Sequence, residues 1–370
     1  MKKFLFLLAL FILFFVAGSE DVHDPSTFLT EMKNGVSELK EKIDLETTKA
    51  AIDRFLRRIG VQISDEEIDE EIDEEEPSTP VLQSPSTEQF AVYNIEIGDQ
   101  KEKIEKRVGK PQRISLNEYD VYWHTYHESY RNFFMVSYDQ HGIVNGIYTN
   151  QPLFSSSIGM ESGWTKEETR SRLGNPLESL KKGRIVYKLP EDRNYDLFLI
   201  DGNYVTIFYD QFEKESIRAI QIIRGDLEEK KSTLYPEGRP ELIEGFEYQL
   251  YDLTNAERVK YGLNPLVWDR DVQITAKKHS EDMAANGYFS HENLKGQSPF
   301  DRMKEDAIFY TVAGENLAYG QFSSIFAHEG LMNSKGHREN ILQKDFERIG
   351  IGVAFNEEQQ PYFTQNFYKK

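Results

Sequence analysis

The sequence predicts an α+β protein of two folded domains in series, and three observations carry that expectation. At 370 residues the chain is too long for one ordinary domain of ~100–200 residues. Hydrophobic residues at 39% and aromatics at 13% suffice for packed cores and exclude a wholly disordered or collagen-like chain. Helix-period and strand-period segments then follow one another, in a pattern that occurs twice between residues 90 and 230 and in turn-rich blocks from 246 onward. Two exclusions accompany them. A net charge of −19 argues against nucleic-acid partners, which need clustered Lys and Arg. The lack of any cysteine removes disulfides, thiolate zinc sites and a Cys nucleophile.

Taken in order, Lys2 and Lys3 precede an uninterrupted apolar run from Phe4 to Ala17 and then Gly18-Ser19, so residues 1–19 read as a secretory signal peptide or an N-terminal anchor. Fourteen residues fall short of the ~20 that span a bilayer as a helix. Either reading, cleavage or a membrane tether through residues 4–17, places the remainder outside the cytoplasm, secreted or on the outer face of the membrane. Residues 20–60 carry Leu29, Met32, Val36, Leu39 and Ile43 at 3-4-3-4 spacing, an amphipathic helix with an oligomerising seam over 25–59 as one use. Residues 61–89 hold ten carboxylates between Asp65 and Glu76 and then a Pro/Ser/Thr stretch, which predicts an extended linker.

Within residues 90–230 the order of features repeats. Gly109-Lys110-Pro111 is echoed by Gly174-Asn175-Pro176, and Tyr138-Asp139-Gln140 by Tyr209-Asp210-Gln211. Each copy opens with a helix-like segment and continues in alternating aromatic and β-branched runs such as "FFMVSY" and "YVTIFY", predicting an internally duplicated α+β domain with pseudo-twofold symmetry. His124 and His127 fall on opposite faces of a strand, and His141 in a turn, so no metal set is expected there. Residues 231–245 read as a second linker.

The C-terminal domain, 246–370, begins with two helices, one with Leu250, Leu253, Ala256 and Val259 on its apolar face, the other with Ile274, Ala276, His279, Met283 and Ala284. Ordered polar blocks follow. They run from Asn255-x-x-Arg258 and Leu266-x-Trp268 through Tyr288-Phe-Ser-His291, Gly314-Glu-Asn316 and Met332-Asn-Ser-x-Gly-His-Arg-x-Asn-Ile-Leu342 to Ile349-Gly-x-Gly-Val353 and Thr364-Gln-Asn-Phe367. This order resembles the CAP superfamily, which includes cysteine-rich secretory proteins, insect venom antigens, plant pathogenesis-related proteins and bacterial SCP-like extracellular proteins. The duplicated segment resembles the CAP-associated N-terminal domain of Bacillus-type proteins.

The resemblance implies an α-β-α sandwich at the C-terminus, with a cleft in which two His and two acidic residues hold a divalent metal such as zinc. His291, Glu315 and His337 match three of those positions. The fourth falls at Ser334, a poor zinc ligand, which leaves Glu329 and Glu339 as the acids able to complete the set. Two imidazoles and a carboxylate are by themselves a workable His₂Glu zinc set with a position open to water. Separations of 24 and 22 residues mean that only the fold can assemble it. The plainer alternative is that Glu315 and His337 hydrogen-bond loops together. Ser334 also stands where a helix N-cap belongs, and Gly336 and Asn340 suit tight packing.

Two functions therefore stay open. One is an extracytoplasmic binding module whose cleft takes a cell-wall component, peptide or lipid. The other is a metal-dependent hydrolase with Glu315 as general base. A spacer assembled through residues 25–59 is a third. A cysteine-free member behind a signal segment points to a protein exported by a Gram-positive cell.

Overall fold

The computed structural model describes residues 80–370; the signal or anchor segment, the 20–60 helix and most of the acidic tract lie outside the described residues. The first domain contains strands β1 (Phe90–Val92), β2 (Arg113–Leu116), β3 (Tyr122–Glu128), β4 (Arg131–Tyr138), β5 (Val144–Thr149) and β6 (Phe154–Ser156). It continues with β7 (Ser179–Lys182), β8 (Ile185–Lys188), β9 (Tyr195–Ile200), β10 (Asn203–Asp210) and β11 (Ser216–Arg224), and its helices are α1 (Lys101–Val108), α2 (Lys166–Leu173) and α3 (Gly225–Lys230). Seven strands form one antiparallel sheet in the order β2-β3-β4-β5-β11-β10-β9, so that the two meanders meet at β5 and β11. Both α1 and α2 stop at a glycine with positive φ, Gly109 and Gly174, as the repeated Gly-x-Pro signal requires.

The second domain comprises α4 (Pro240–Lys260), β12 (Val267–Trp268), α5 (Arg270–Asn286), α6 (Pro299–Glu305), β13 (Val312–Tyr319), α7 (Ser324–Met332), α8 (Lys335–Ile341), β14 (Arg348–Phe355) and β15 (Pro361–Lys369). Its sheet, in the order β12-β14-β15-β13, packs α5 on one face and α4 and α7 on the other, which is the expected α-β-α sandwich. Gly350 and Gly352 explain the Ile-Gly-x-Gly-Val block. A Cβ at either would strike the backbone of α5 at Gln273 or Lys277, so glycine lets helix and sheet approach directly.

Three expectations need correction. The linker at 231–245 is shorter, because α4 already begins at Pro240 and its Gly245 lies against Leu116 O of β2, where a Cβ would collide. The acidic linker also ends before residue 89. Backbone N–H groups of Ser86, Thr87 and Glu88 donate to the Glu96 carboxylate and that of Gln89 donates to Asp201, docking this stretch on the first domain. Finally, α4 is not amphipathic in effect. Its apolar Leu250 and Phe246 enter the sandwich, while Leu253 and Ala256 join Trp123, Phe133, Met135 and Tyr148 from the first domain. The helix is thus covered on both sides, and Asp252, Asn255, Glu257 and Arg258 are buried as well. In α5 the buried residues include Val272, Ala276, His279, Met283 and Ala284, whereas Ile274 is exposed, two residues and ~200° around the helix from Val272.

The same second face explains why β4 and β5 do not alternate. Phe134, Val136 and Ile147 pack into the first domain's own core, and Phe133, Met135 and Tyr148 face the second domain. At the centre of this interface is the buried Arg218. Its guanidinium reaches Glu257 at 2.9 Å, Glu329 at 2.5 Å and Asp210 at 3.3 Å. Tyr148 donates to Glu329 (2.6 Å), Asn150 to Glu257 (3.1 Å) and Arg338 to Asp210 (2.7 Å). Burial alone would raise the Glu257 carboxyl, but Arg218 and Lys260 outweigh it and hold that group well below its ordinary 4.5. The unfolded chain therefore takes up this proton first as pH falls. The contribution of the pair is complete above about pH 4.5 and declines below it.

Replacing Arg218 by Met strips Glu329 of its cation and leaves Glu257 and Asp210 only Lys260 and Arg338. We expect a loss of about 3–5 kcal/mol, read as a lower urea midpoint at neutral pH, with a smaller difference from wild type below pH 4.5.

Candidate functional site

His291 stands in the loop after α5, which ends at Gly287 in the left-handed conformation. Three contacts hold this loop. His279, fully buried on α5, pairs through Nε2 with Ser290 O at 2.9 Å. Arg302 on α6 donates to His291 O at 2.8 Å and to Gln297 O at 3.1 Å. A capping box of Ser298 and Asp301 starts α6 and so places Arg302.

Glu315 rises from β13 with its side chain almost fully enclosed. Its Oε1 lies 2.8 Å from His291 Nδ1 and its Oε2 accepts from Arg302 at 2.6 Å. His291 itself is 53% exposed, so the pair joins a buried, anchored acid to an imidazole at the surface. His337 lies on α8. Burial lowers its pKa and so does His291, which puts the two rings within electrostatic reach of each other. Behind them Asn316 donates to His337 O (3.0 Å), and Asn340 donates to Glu315 O (3.2 Å) and Asn316 Oδ1 (2.9 Å). The structure therefore joins His291, Glu315 and Arg302 directly, and His337 on α8 stands near enough to His291 for the two rings to repel when charged.

The fourth position does not join them. Ser334 occupies the N-cap of α8, but its hydroxyl makes no capping bond. A Cβ on Gly336 would meet nothing within 4 Å, so the tight packing expected there belongs to Asn340 and Gly314 instead. Glu329 cannot swing in, since it is spent on Arg218 and Tyr148, and Glu339 is exposed. Ser290 Oγ accepts from Glu292 N within its own turn. Arg338 of the Gly-His-Arg block serves the domain interface through Asp210 and lies over the rings of Phe212 and Tyr261.

This donor set does not fit zinc as it stands. Both oxygens of Glu315 are engaged, one of them by a guanidinium that would repel a cation, and Ser334 is a weak ligand. Among the described residues no group of three or more His, Asp or Glu side chains is arranged to hold a metal ion. The Arg302 role had a weak signal in the sequence: an Arg one turn into a Ser-Pro-x-Asp-capped helix, with no partner identifiable from spacing.

Comparison with known proteins bears on this fold and site. Residues 251–367 match the cysteine-rich secretory protein family and residues 97–234 the CAP-associated N-terminal family. The uncharacterized membrane protein YlbC of Bacillus subtilis is 31% identical over 294 residues, covering 74% of this chain and 82% of that protein. The chain belongs to the CAP family. A second relative, the uncharacterized B. subtilis protein YkwD, is 41% identical over 131 residues, 35% of this chain and 50% of that protein. An extracellular SCP-domain protein of Bacillus anthracis shares the fold with a TM-score of 0.65 at 24% identity, covering 79% of this chain and all of that one. A cysteine-rich secretory protein of Staphylococcus aureus does so at 0.60 and 17%, covering 78% and 98%. The CAP relatives thus include extracellular proteins and a named membrane protein. Among the described residues no helix is long and apolar enough to cross a membrane.

Two outcomes test the CAP cleft as built. Arg302→Met removes a buried partner of Glu315 and the loop's anchors and is expected to cost about 3 kcal/mol, whereas His291→Ala at a half-exposed pair costs under about 1 kcal/mol, both by thermal denaturation. Neutral His337 contributes stability that is full above the ordinary 6.5 and declines as pH falls below it, because the unfolded chain protonates first. An NMR titration is expected to give His337 a midpoint below 6.5 that rises in His291→Ala.

Proposed function

We propose that the chain acts outside the cytoplasm, secreted or held on the outer membrane face, as a non-catalytic binding module. Its ligand, a cell-wall component, peptide or lipid, enters the cleft of His291, Glu315 and His337. The observation that carries this reading is the division of labour at Glu315. The acid is buried and bonded to Arg302, while His291, held by it, is left half exposed as a directed hydrogen-bonding group. A general base needs a carboxylate free to take a proton from water, and this one has both oxygens committed. An apolar rim supports a ligand with a non-polar part. Phe289, two residues before His291, is half exposed and packs on Tyr319 at 5.8 Å between ring centroids.

The test is retention of the purified chain on peptidoglycan fragments, on a peptide column and on phospholipid vesicles. One of these is expected to bind, at least tenfold more weakly in His291→Ala and His337→Ala. Equal binding by both variants, stoichiometric zinc that survives dialysis, or turnover of any of the three would overturn the proposal.

A further inference from the structure

The loop that carries His291 runs beside β13 and touches it at two places. His291 meets Glu315, and Phe289 packs on Tyr319, which lies four residues further along the same face of that strand. These two contacts are therefore ~13 Å apart on one side of the sheet. The aromatic end is held from behind. Tyr319 packs on Tyr362, its partner across β15, with 4.3 Å between ring centroids, and its hydroxyl donates to Gln360 Oε1, which also accepts from Asn356 Nδ2. Phe289 is 49% exposed and Tyr319 37%, so both rings are open to a ligand from solvent.

At the other end, the bond to Glu315 decides which nitrogen of His291 carries the hydrogen. A carboxylate whose second oxygen is held by Arg302 only accepts, so Nδ1 is the donor and, in the neutral ring, Nε2 is left as an exposed acceptor. Burial and the neighbouring His291 lower the His337 pKa, so that ring is also neutral near neutral pH. The strip thus offers a fixed hydrogen-bond acceptor at one end and two open aromatic faces with a polar edge at the other.

Resting on the binding-module reading of this cleft, we propose that its ligand is an N-acetylated oligosaccharide laid along the strip from His291 to Tyr319. An acetamido N–H donates to His291 Nε2. The C–H face of a further sugar ring lies on Phe289 and Tyr319, because the negative face of an aromatic ring attracts polarised C–H groups. Hydrogen-bonding chemistry selects this class over the alternatives. A phosphate headgroup or a carboxylate only accepts, and a neutral Nε2 gives it no proton. A peptide backbone brings N–H donors but no flat C–H face for two open rings. A span of ~13 Å asks for linked sugar rings, not a single one.

Calorimetric titration of the full chain with tri-N-acetylchitotriose, cellotriose and N-acetylglucosamine tests the inference. The first is expected to bind at least tenfold more tightly than cellotriose, which lacks acetamido groups, and than N-acetylglucosamine, which covers one end only. Phe289→Ala and His291→Ala should each lower that affinity at least tenfold. Phe289 is half exposed, so its truncation leaves the fold intact. Long-range proton–nitrogen NMR of the free protein should show the Nδ1–H tautomer of His291, with Nε2 shifting when the trisaccharide is added. The proposal is overturned if the trisaccharide does not bind, if cellotriose or the monosaccharide binds equally well, if Phe289→Ala leaves the affinity unchanged, or if His291 carries its hydrogen on Nε2. Binding of a peptide or of phospholipid vesicles that His291→Ala weakens, without sugar binding, overturns the oligosaccharide alone and leaves the binding module standing. Failure of every probe to bind overturns both.

Discussion

Everything in this molecule that depends on the two domains acting together rests on Arg218. One guanidinium on β11 of the first domain is shared among Asp210 of its own sheet and Glu257 and Glu329 of the second domain. Taking such charges out of water costs several kcal/mol per ion, repaid only when geometry and hydrogen bonds are complete. Tyr148 takes the other oxygen of Glu329, Asn150 and Arg338 add to the oxygens of Glu257 and Asp210 that Arg218 already holds, and Lys260 faces the second Glu257 oxygen at 3.6 Å. Around this polar centre Trp123, Phe133, Tyr148, Leu253 and Ile325 close a continuous apolar layer, each large side chain worth about 1.5–3 kcal/mol when fully buried. The apolar layer supplies adhesion. The ion cluster specifies register, since a displaced interface parts Arg218 from Glu257 and Glu329.

That register reaches the cleft through α7 and α8. Glu329 ties α7 to the first domain, Asn333 at its end exchanges bonds with Gln211 N and Tyr209 O, and Arg338 on α8 pairs with Asp210. His337 is the neighbour of Arg338 in sequence. The cleft's second histidine is therefore carried on a helix clamped by the other domain, while His291 is carried on a loop clamped by Arg302 within its own. Asn316 and Asn340 then tie the two halves together, through His337 O and Glu315 O.

Most of the polar blocks that mark the family are backbone pins. Asn255 exchanges two bonds with Leu266, Arg258 donates to Asn264 O, Ile341 O and Gln343 O, and Gln365 links Thr254 to Asn316. Irregular segments leave carbonyls and N–H groups that need partners, and a fixed side chain at a fixed place supplies them. This is why the C-terminal domain was so legible from its residues: each pin demands one residue type. The Gly350 and Gly352 close approach was legible for the same reason. Ser334 and Glu329 show the limit of that reading. They lie three and eight residues before His337, yet the hydroxyl makes no capping bond and the acid is drawn to a cation 111 residues earlier in the chain.

By itself the sequence determined the two-domain order, the periods of helices and strands and the glycine stops, because each depends on local propensity or on one residue filling one role. Tertiary structure alone decided that α4 is covered on both sides, that it begins at Pro240 within the 231–245 stretch, and that Glu315 belongs to Arg302. Those outcomes turn on which charges end up desolvated together. Desolvation is a property of the assembled interface, so the partner of a buried acid is set by what the fold brings within 3 Å, not by its neighbours in the chain.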